Sequence, residues 1–228
     1  MVDIMEILFD VSYLAIIWYV VYNMFTLLKE QKEPTVILKK TLAWAFALLA
    51  LGDTFHVGFR VVAYFSGGTV ANPALLGYGK LATAITVTMF YALMVRAWRL
   101  RFRKDHTVFS YLLLFGALVR MIVILLPGNN WASANVPFNW SMYRNLPLLV
   151  TGLGVAYLFL KDGKKAHDQL FPKIGIAILV SYAFYTPVIL FAQYYPLLGL
   201  LMIPKTIAYL VAAFLAYRTF TDTKKADL

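Results

Sequence analysis

Apolar residues in this chain come in long runs, broken by short segments that are basic or rich in Gly, Asn and Pro. Seven runs stand out, at about 5–28, 37–62, 78–98, 107–127, 143–160, 174–194 and 198–217. A helix needs about 20 apolar residues to cross roughly 30 Å of hydrocarbon. Only helices and closed barrels satisfy every backbone group there. The pattern therefore predicts an all-α, polytopic membrane protein of seven transmembrane helices. It forms a single domain over 1–228, with no low-complexity linker.

Composition strengthens that reading. Hydrophobic residues make up 61% of the chain, charged residues 14%, and the mean hydropathy is +0.71. A soluble domain holds about 45–50% apolar and about 25% charged residues. There is no cysteine, which excludes disulfides, thiolate metal sites and a Cys nucleophile. The first run has no basic leader and no small-residue cleavage site, so it reads as a retained helix.

The net charge of +10 is distributed unevenly. Sixteen of the 21 basic residues fall on alternate connections: Lys29 to Lys40, Arg96 to Lys104, Lys161 to Lys173, and the tail from Arg218. Basic connections stay cytoplasmic, which puts the N-terminus outside and the C-terminus inside. The expected location is a cell membrane, a bacterial plasma membrane. The expected partners are membrane lipids, since basic loops attract anionic headgroups. No loop is long enough to build a phosphate-tracking surface, so nucleic acid is not expected.

A weak repeat is visible. Leu27-Leu28-Lys29-Glu30-Gln31-Lys32 closes helix 1 and Phe159-Leu160-Lys161-Asp162-Gly163-Lys164 closes helix 5. Helices 1–3 and 5–7 would then be parallel units joined by helix 4, a layout found in transporters.

Five bases lie outside the cytoplasmic set: Arg60, Lys80, Arg120, Arg144 and Lys205. All fall in the outer half of the membrane or at its edge. Glu6 and Asp10 share a face of helix 1, and Asp53, His56 and Arg60 form one stripe on helix 2. Ionisable groups in hydrocarbon are costly unless paired or solvated. The stripes are expected to converge in a polar chamber open to the outer side. The structural alternative is a set of salt bridges such as Asp53–Arg120 or Glu6–Lys205. The bases outnumber Glu6, Asp10 and Asp53, and an excess of cations invites an anion. The expected ligand is an anionic small molecule or lipid headgroup, bound by Arg60, Lys80, Arg120, Arg144 and Lys205 with Glu6 and Asp10 as partners. Transport or sensing would follow from binding. Asp53 and His56 are one turn apart and are the candidate acid–base pair. No metal site and no cofactor are expected, since there is no HExxH, GxSxG or paired-His motif.

Leu51-Gly52-Asp53, following Lys40 on the same helix, resembles the Lys…Gly-Asp pattern of the lysoplasmalogenase family. The resemblance implies a membrane-embedded lipid hydrolase using Asp53 and His56. The string Gly52-Asp53-Thr54-Phe55-His56…Arg60, with Gly79-Lys80 and Arg144-Asn145, resembles uncharacterised seven-helix membrane proteins of Gram-positive bacteria. That resemblance implies no function. Seven helices with a lysine on the last resemble microbial rhodopsins, which implies retinal on Lys205. Helix 3 here has neither the Arg nor the Asp residues of that family, and no acid lies one turn before Lys205. The sugar-transporter and PQ-loop families share the three-one-three layout, but their Pro-Gln motif is absent.

Overall fold

All seven runs are helices in the computed structural model, which describes residues 2–29, 35–133 and 136–226. They are α1 Val2–Leu28, α2 Val36–Phe65, α3 Pro73–Phe102, α4 Val108–Leu125, α5 Phe138–Lys165, α6 Phe171–Phe191 and α7 Met202–Ala226. Short 3-10 turns at Pro127–Asn129 and Pro196–Leu201 precede α5 and α7. Each helix packs on the next in sequence, α1 and α2 close on α7, and α3 also touches α5. Any sequential ring repeats its neighbour order in this way, so the arrangement adds nothing to the sequence repeat.

The helix ends depart from the predicted spans for physical reasons. α2, α3 and α5 run past 37–62, 78–98 and 143–160 at both ends. Backbone hydrogen bonding continues beyond the hydrocarbon, and the last turns place Arg99, Arg101, Lys164 and Lys165 on favourable C-terminal dipoles. α4 starts one residue late because Thr107 is its cap. The Thr107 hydroxyl accepts from the Ser110 amide at 3.2 Å and the Ser110 hydroxyl accepts from the Thr107 amide at 2.9 Å. α7 begins at Met202, not 198, because Pro196–Leu201 winds as 3-10 helix. Pro204 then falls in the first turn of α7, where a missing N–H removes no hydrogen bond.

The surface is that of a membrane protein. On α4 the buried positions are Ser110, Leu113, Ala117, Arg120 and Ile124, a single inward stripe. Its outward face shows Tyr111, Leu112, Phe115, Leu118, Ile122 and Leu125, all exposed. Water would penalise so many exposed apolar side chains, whereas lipid solvates them. Seven helices are long and apolar enough to span, and the protein is a multi-pass membrane protein.

Packing differs between the two ends of the bundle. Buried apolar residues concentrate in the half nearest the basic loops. Met24, Leu42, Phe46, Phe90, Met94, Trp98, Phe159, Phe171, Ile178 and Phe220 are all essentially inaccessible there. Along α1, α2 and α6, few buried residues lie in the opposite half. The closest helix pair is α2 on α3. Gly52 and Gly79 make that approach possible, since a Cβ on Gly79 would stand 3.0 Å from the His56 Cα. The Thr83 hydroxyl donates to the Gly52 carbonyl at 2.9 Å. The Thr83 and Thr86 face that follows Lys80 therefore clips α3 to α2.

At the basic end, two acids lock α3 against the last turn of α5 and the α5–α6 connection. Trp98 Nε1 donates to Asp162 Oδ2 at 2.8 Å, and Lys104 Nζ lies 3.7 Å from Asp162 Oδ1. Arg101 Nε donates to Asp168 Oδ2 at 2.6 Å. Asp168 Oδ1 also accepts from the Leu170 and Phe171 amides, each at 2.8 Å, and so caps α6. Burial alone would raise the Asp168 carboxyl, but the two amides and Arg101 outweigh it and hold it below the usual carboxylate range. A depressed folded value means stabilisation that is present above about pH 4 and is lost as pH falls through the folded value. Asp168→Ala is expected to lower stability at neutral pH by about 1–2 kcal/mol, mostly through the cap, since the exposed Arg101 is screened. Thermal unfolding in detergent from pH 7 to pH 3 should show a shallower acid-induced loss in the variant. Equal acid slopes would remove Asp168 from the account.

Candidate functional site

Opposite the basic end, α1, α2, α3, α5 and α7 direct ionisable side chains toward one another. α2 supplies a stripe of Asp53, His56 and Arg60, each half-buried. Asp53 Oδ2 accepts from the Tyr13 hydroxyl of α1 at 2.6 Å. It also lies in the electrostatic field of Lys205 on α7. Lys205 Nζ stands 5.1 Å from the Tyr209 ring centroid and 5.4 Å from that of Tyr185, within cation–π range. Asp10 of α1 sits 3.5 Å from Arg60 Nη1. The Glu6 side chain lies outside the described residues.

His56 has charged neighbours but no bond at one nitrogen. Its Nδ1 is buried and has no hydrogen-bond partner, and the ring lies in the field of Arg60, Lys80 and Lys205. No hydrogen bond joins it to Asp53, although they are one turn apart. Lys80 on α3 lies near Arg144 and Arg60, and no carboxylate pairs with it among the described residues. Arg144 on α5 donates to Asn129 Oδ1 at 3.2 Å and to Ser141 Oγ at 3.5 Å, and it sits 4.7 Å over the Trp131 ring. All of these Arg144 contacts are neutral.

Arg120 has a different environment. It is 3% exposed, and its Nε donates to the Arg144 carbonyl at 2.8 Å. Its Nη1 donates to the Ala84 carbonyl at 2.9 Å and to the Thr88 hydroxyl. The Asp53–Arg120 pair considered from sequence does not form: Asp53 bonds Tyr13, and Arg120 ties α4 to α3 and α5 through neutral oxygens. Lys205 lies in the first turn of α7 and packs beside Tyr185, six residues from the end of α6. At 1.5 Å per residue that is about 9 Å of depth.

The connection between α4 and α5 covers this end near α3 and α5. Asn129 Nδ2 donates to the Val123 and Leu126 carbonyls at 2.6 and 3.0 Å, which closes the end of α4. Trp131 Nε1 donates to the Ile124 carbonyl at 3.0 Å, and its own carbonyl packs against Gly77 of α3.

The structure adds groups that the charge pattern does not reveal. The Tyr185 hydroxyl donates to Asn145 Oδ1 at 3.2 Å, and the Tyr209 and Tyr91 hydroxyls are 2.6 Å apart at the floor of the site. Two of these had a signal. Tyr13 follows Asp10 at i+3, and Tyr209 follows Lys205 at i+4, so each extends a polar stripe already present. Tyr185 had none beyond its residue type, and Asn145 had only its place in the Arg144-Asn145 pair of the seven-helix resemblance. Among the described residues, no group of three His, Asp or Glu lies close enough to hold a metal ion.

No protein family, no curated protein and no solved structure matches the chain.

Proposed function

We propose that the chain is a bacterial plasma-membrane protein, N-terminus outside, whose outer-side chamber binds the anionic group of a small molecule or lipid. Binding serves transport or sensing. The observation that carries this reading is unmatched positive charge. Lys80 and Arg144 have no carboxylate partner among the described residues, and the buried Nδ1 of His56, which lies in the field of Lys80, is unpartnered. A low-dielectric site with a cation surplus is stabilised by an anion. Lys80, Arg144 and Lys205 would hold its charge, with Arg60 at the edge. Tyr185, Tyr209 and Trp131 would contact its apolar part. Arg120 would brace the chamber wall, and Asp53 with His56 would supply the proton-sensitive pair. The basic loops support the orientation, and the resemblance to Gram-positive seven-helix proteins supports the host.

The test is mass spectrometry of small molecules and lipids that copurify in mild detergent, comparing wild type with Lys80→Gln/Lys205→Gln. The expected result is one anionic species enriched only with the wild type. Identical profiles from two folded proteins would overturn the reading. Counterflow of that species in liposomes would then separate a carrier from a receptor, and chemical change of the species would mark an enzyme.

A further inference from the structure

A second cavity lies at the opposite, basic end of the bundle, between the last turns of α3 and the start of α4. Its volume is about 590 Å³, and its polar wall is Arg96, Arg99, Arg103, Lys104 and His106. The bases at the end of α3 fall into two sets. Arg101 and Lys104 reach Asp168 and Asp162. Arg96, Arg99 and Arg103 have no carboxylate partner among the described residues. Asp162 and Asp168 are thus engaged by Lys104 and Arg101, and Asp105 is the acid beside His106 of the cavity wall.

Two details point to an anion as the ligand of this cavity. Arg99 Nε is buried and has no hydrogen-bond partner. Its Nη1 instead lies 2.7 Å from His106 Nε2. A guanidinium has no lone pair to offer, so Nε2 must accept, and the imidazole is neutral with its proton on Nδ1 toward Ser110. Burial and the Arg99 charge push His106 below its usual range, against the opposing pull of Asp105. The cluster therefore spends its only neutral acceptor on Arg99 and still leaves one Arg99 donor unmet. Arg103 turns its backbone through the left-handed region, with φ 48°, and ends α3 at the rim of the cavity.

We infer that this cavity is a binding site for a phosphate group. Arginine forks match phosphate oxygens in pairs, and Arg99 Nε supplies a donor that no protein group uses. Leu100 and Leu114 form the apolar wall. That wall suits the glycerol and first methylenes of an anionic phospholipid from the cytoplasmic leaflet, and a soluble phosphorylated compound would use the same polar wall. The site is separate from the outer chamber and does not depend on that proposal.

The experiment uses the full chain in nanodiscs. One arm adds phosphatidylglycerol to phosphatidylcholine discs and counts bound lipid by native mass spectrometry. The other titrates inorganic phosphate and pyrophosphate into pure phosphatidylcholine discs and follows the melting temperature. Saturable binding is expected in one arm, and the arm names the source. Arg96→Gln/Arg103→Gln, two exposed positions, should weaken it about thirtyfold. Arg99→Gln should weaken it further if that variant folds. Lys164→Gln/Lys165→Gln removes equal charge from the same end outside the cavity and should bind like wild type. Equal weakening in the two double variants would reduce the effect to general surface charge and overturn the site, as would no saturable binding in either arm.

Discussion

Arg120→Ala is expected to lower the stability of the protein by about 3–5 kcal/mol, the largest single-residue loss predicted for this structure. The guanidinium donates to the carbonyls of Arg144 and Ala84 and to the Thr88 hydroxyl, and so joins three helices. Removing it deletes three bonds in hydrocarbon, where no water replaces them, and leaves the Ala84 carbonyl with the Thr88 hydroxyl as its side-chain donor, at 2.6 Å. It also leaves a gap beside Leu148 and Thr151. Arg120→Lys should not rescue the loss. An ammonium is a point charge on one stem and cannot span the three acceptors that the planar fork reaches. Thermal unfolding in detergent measures both. If the alanine variant melts with the wild type, Arg120 does not hold α4 in place. Combining Arg120→Ala with Thr88→Val gives a coupling energy that isolates one of the three bonds.

The brace explains which parts of the protein could be read from its residues. The seven helices were legible because hydrocarbon enforces length and apolarity, and the spans at 37–62 and 78–98 sit inside the observed α2 and α3. The end at which Asp53, His56, Arg60, Lys80, Arg144 and Lys205 gather follows from counting residues along alternating helices. Partnership was not legible. From sequence Arg120 is one more cation in need of an acid, yet its solution is backbone oxygen, which every residue carries and no motif announces. Tyr185 beside Lys205 was hidden for a related reason. With aromatics at 16% of the chain, a Tyr facing lipid cannot be told from one facing Lys205. The basic-end cavity was obscured because its arginines also satisfy the topology rule, and a residue with one sufficient explanation draws no second.

Lys205→Gln is expected to reduce occupancy of the chamber by the copurifying anion about thirtyfold or more, as when one member of a buried charge pair is truncated. The same change disturbs the fold, so the single variant does not separate binding from stability. Lys205 lies in the field of Asp53, whose other partner is the Tyr13 hydroxyl at 2.6 Å. Without the ammonium, the Asp53 carboxyl is left beside a single donor, and destabilisation of a few kcal/mol follows. Asp53→Asn alone has the converse defect, since Lys205 then has only the rings of Tyr185 and Tyr209 beside it. The double variant Lys205→Gln/Asp53→Asn removes both charges together and should recover most of the melting temperature lost by either single change. It should not recover the anion. Stability that returns while occupancy stays low assigns Lys205 to the ligand. If occupancy returns together with stability, Lys205 acts only as the counterion of Asp53, and the anion is held by Lys80 and Arg144 alone.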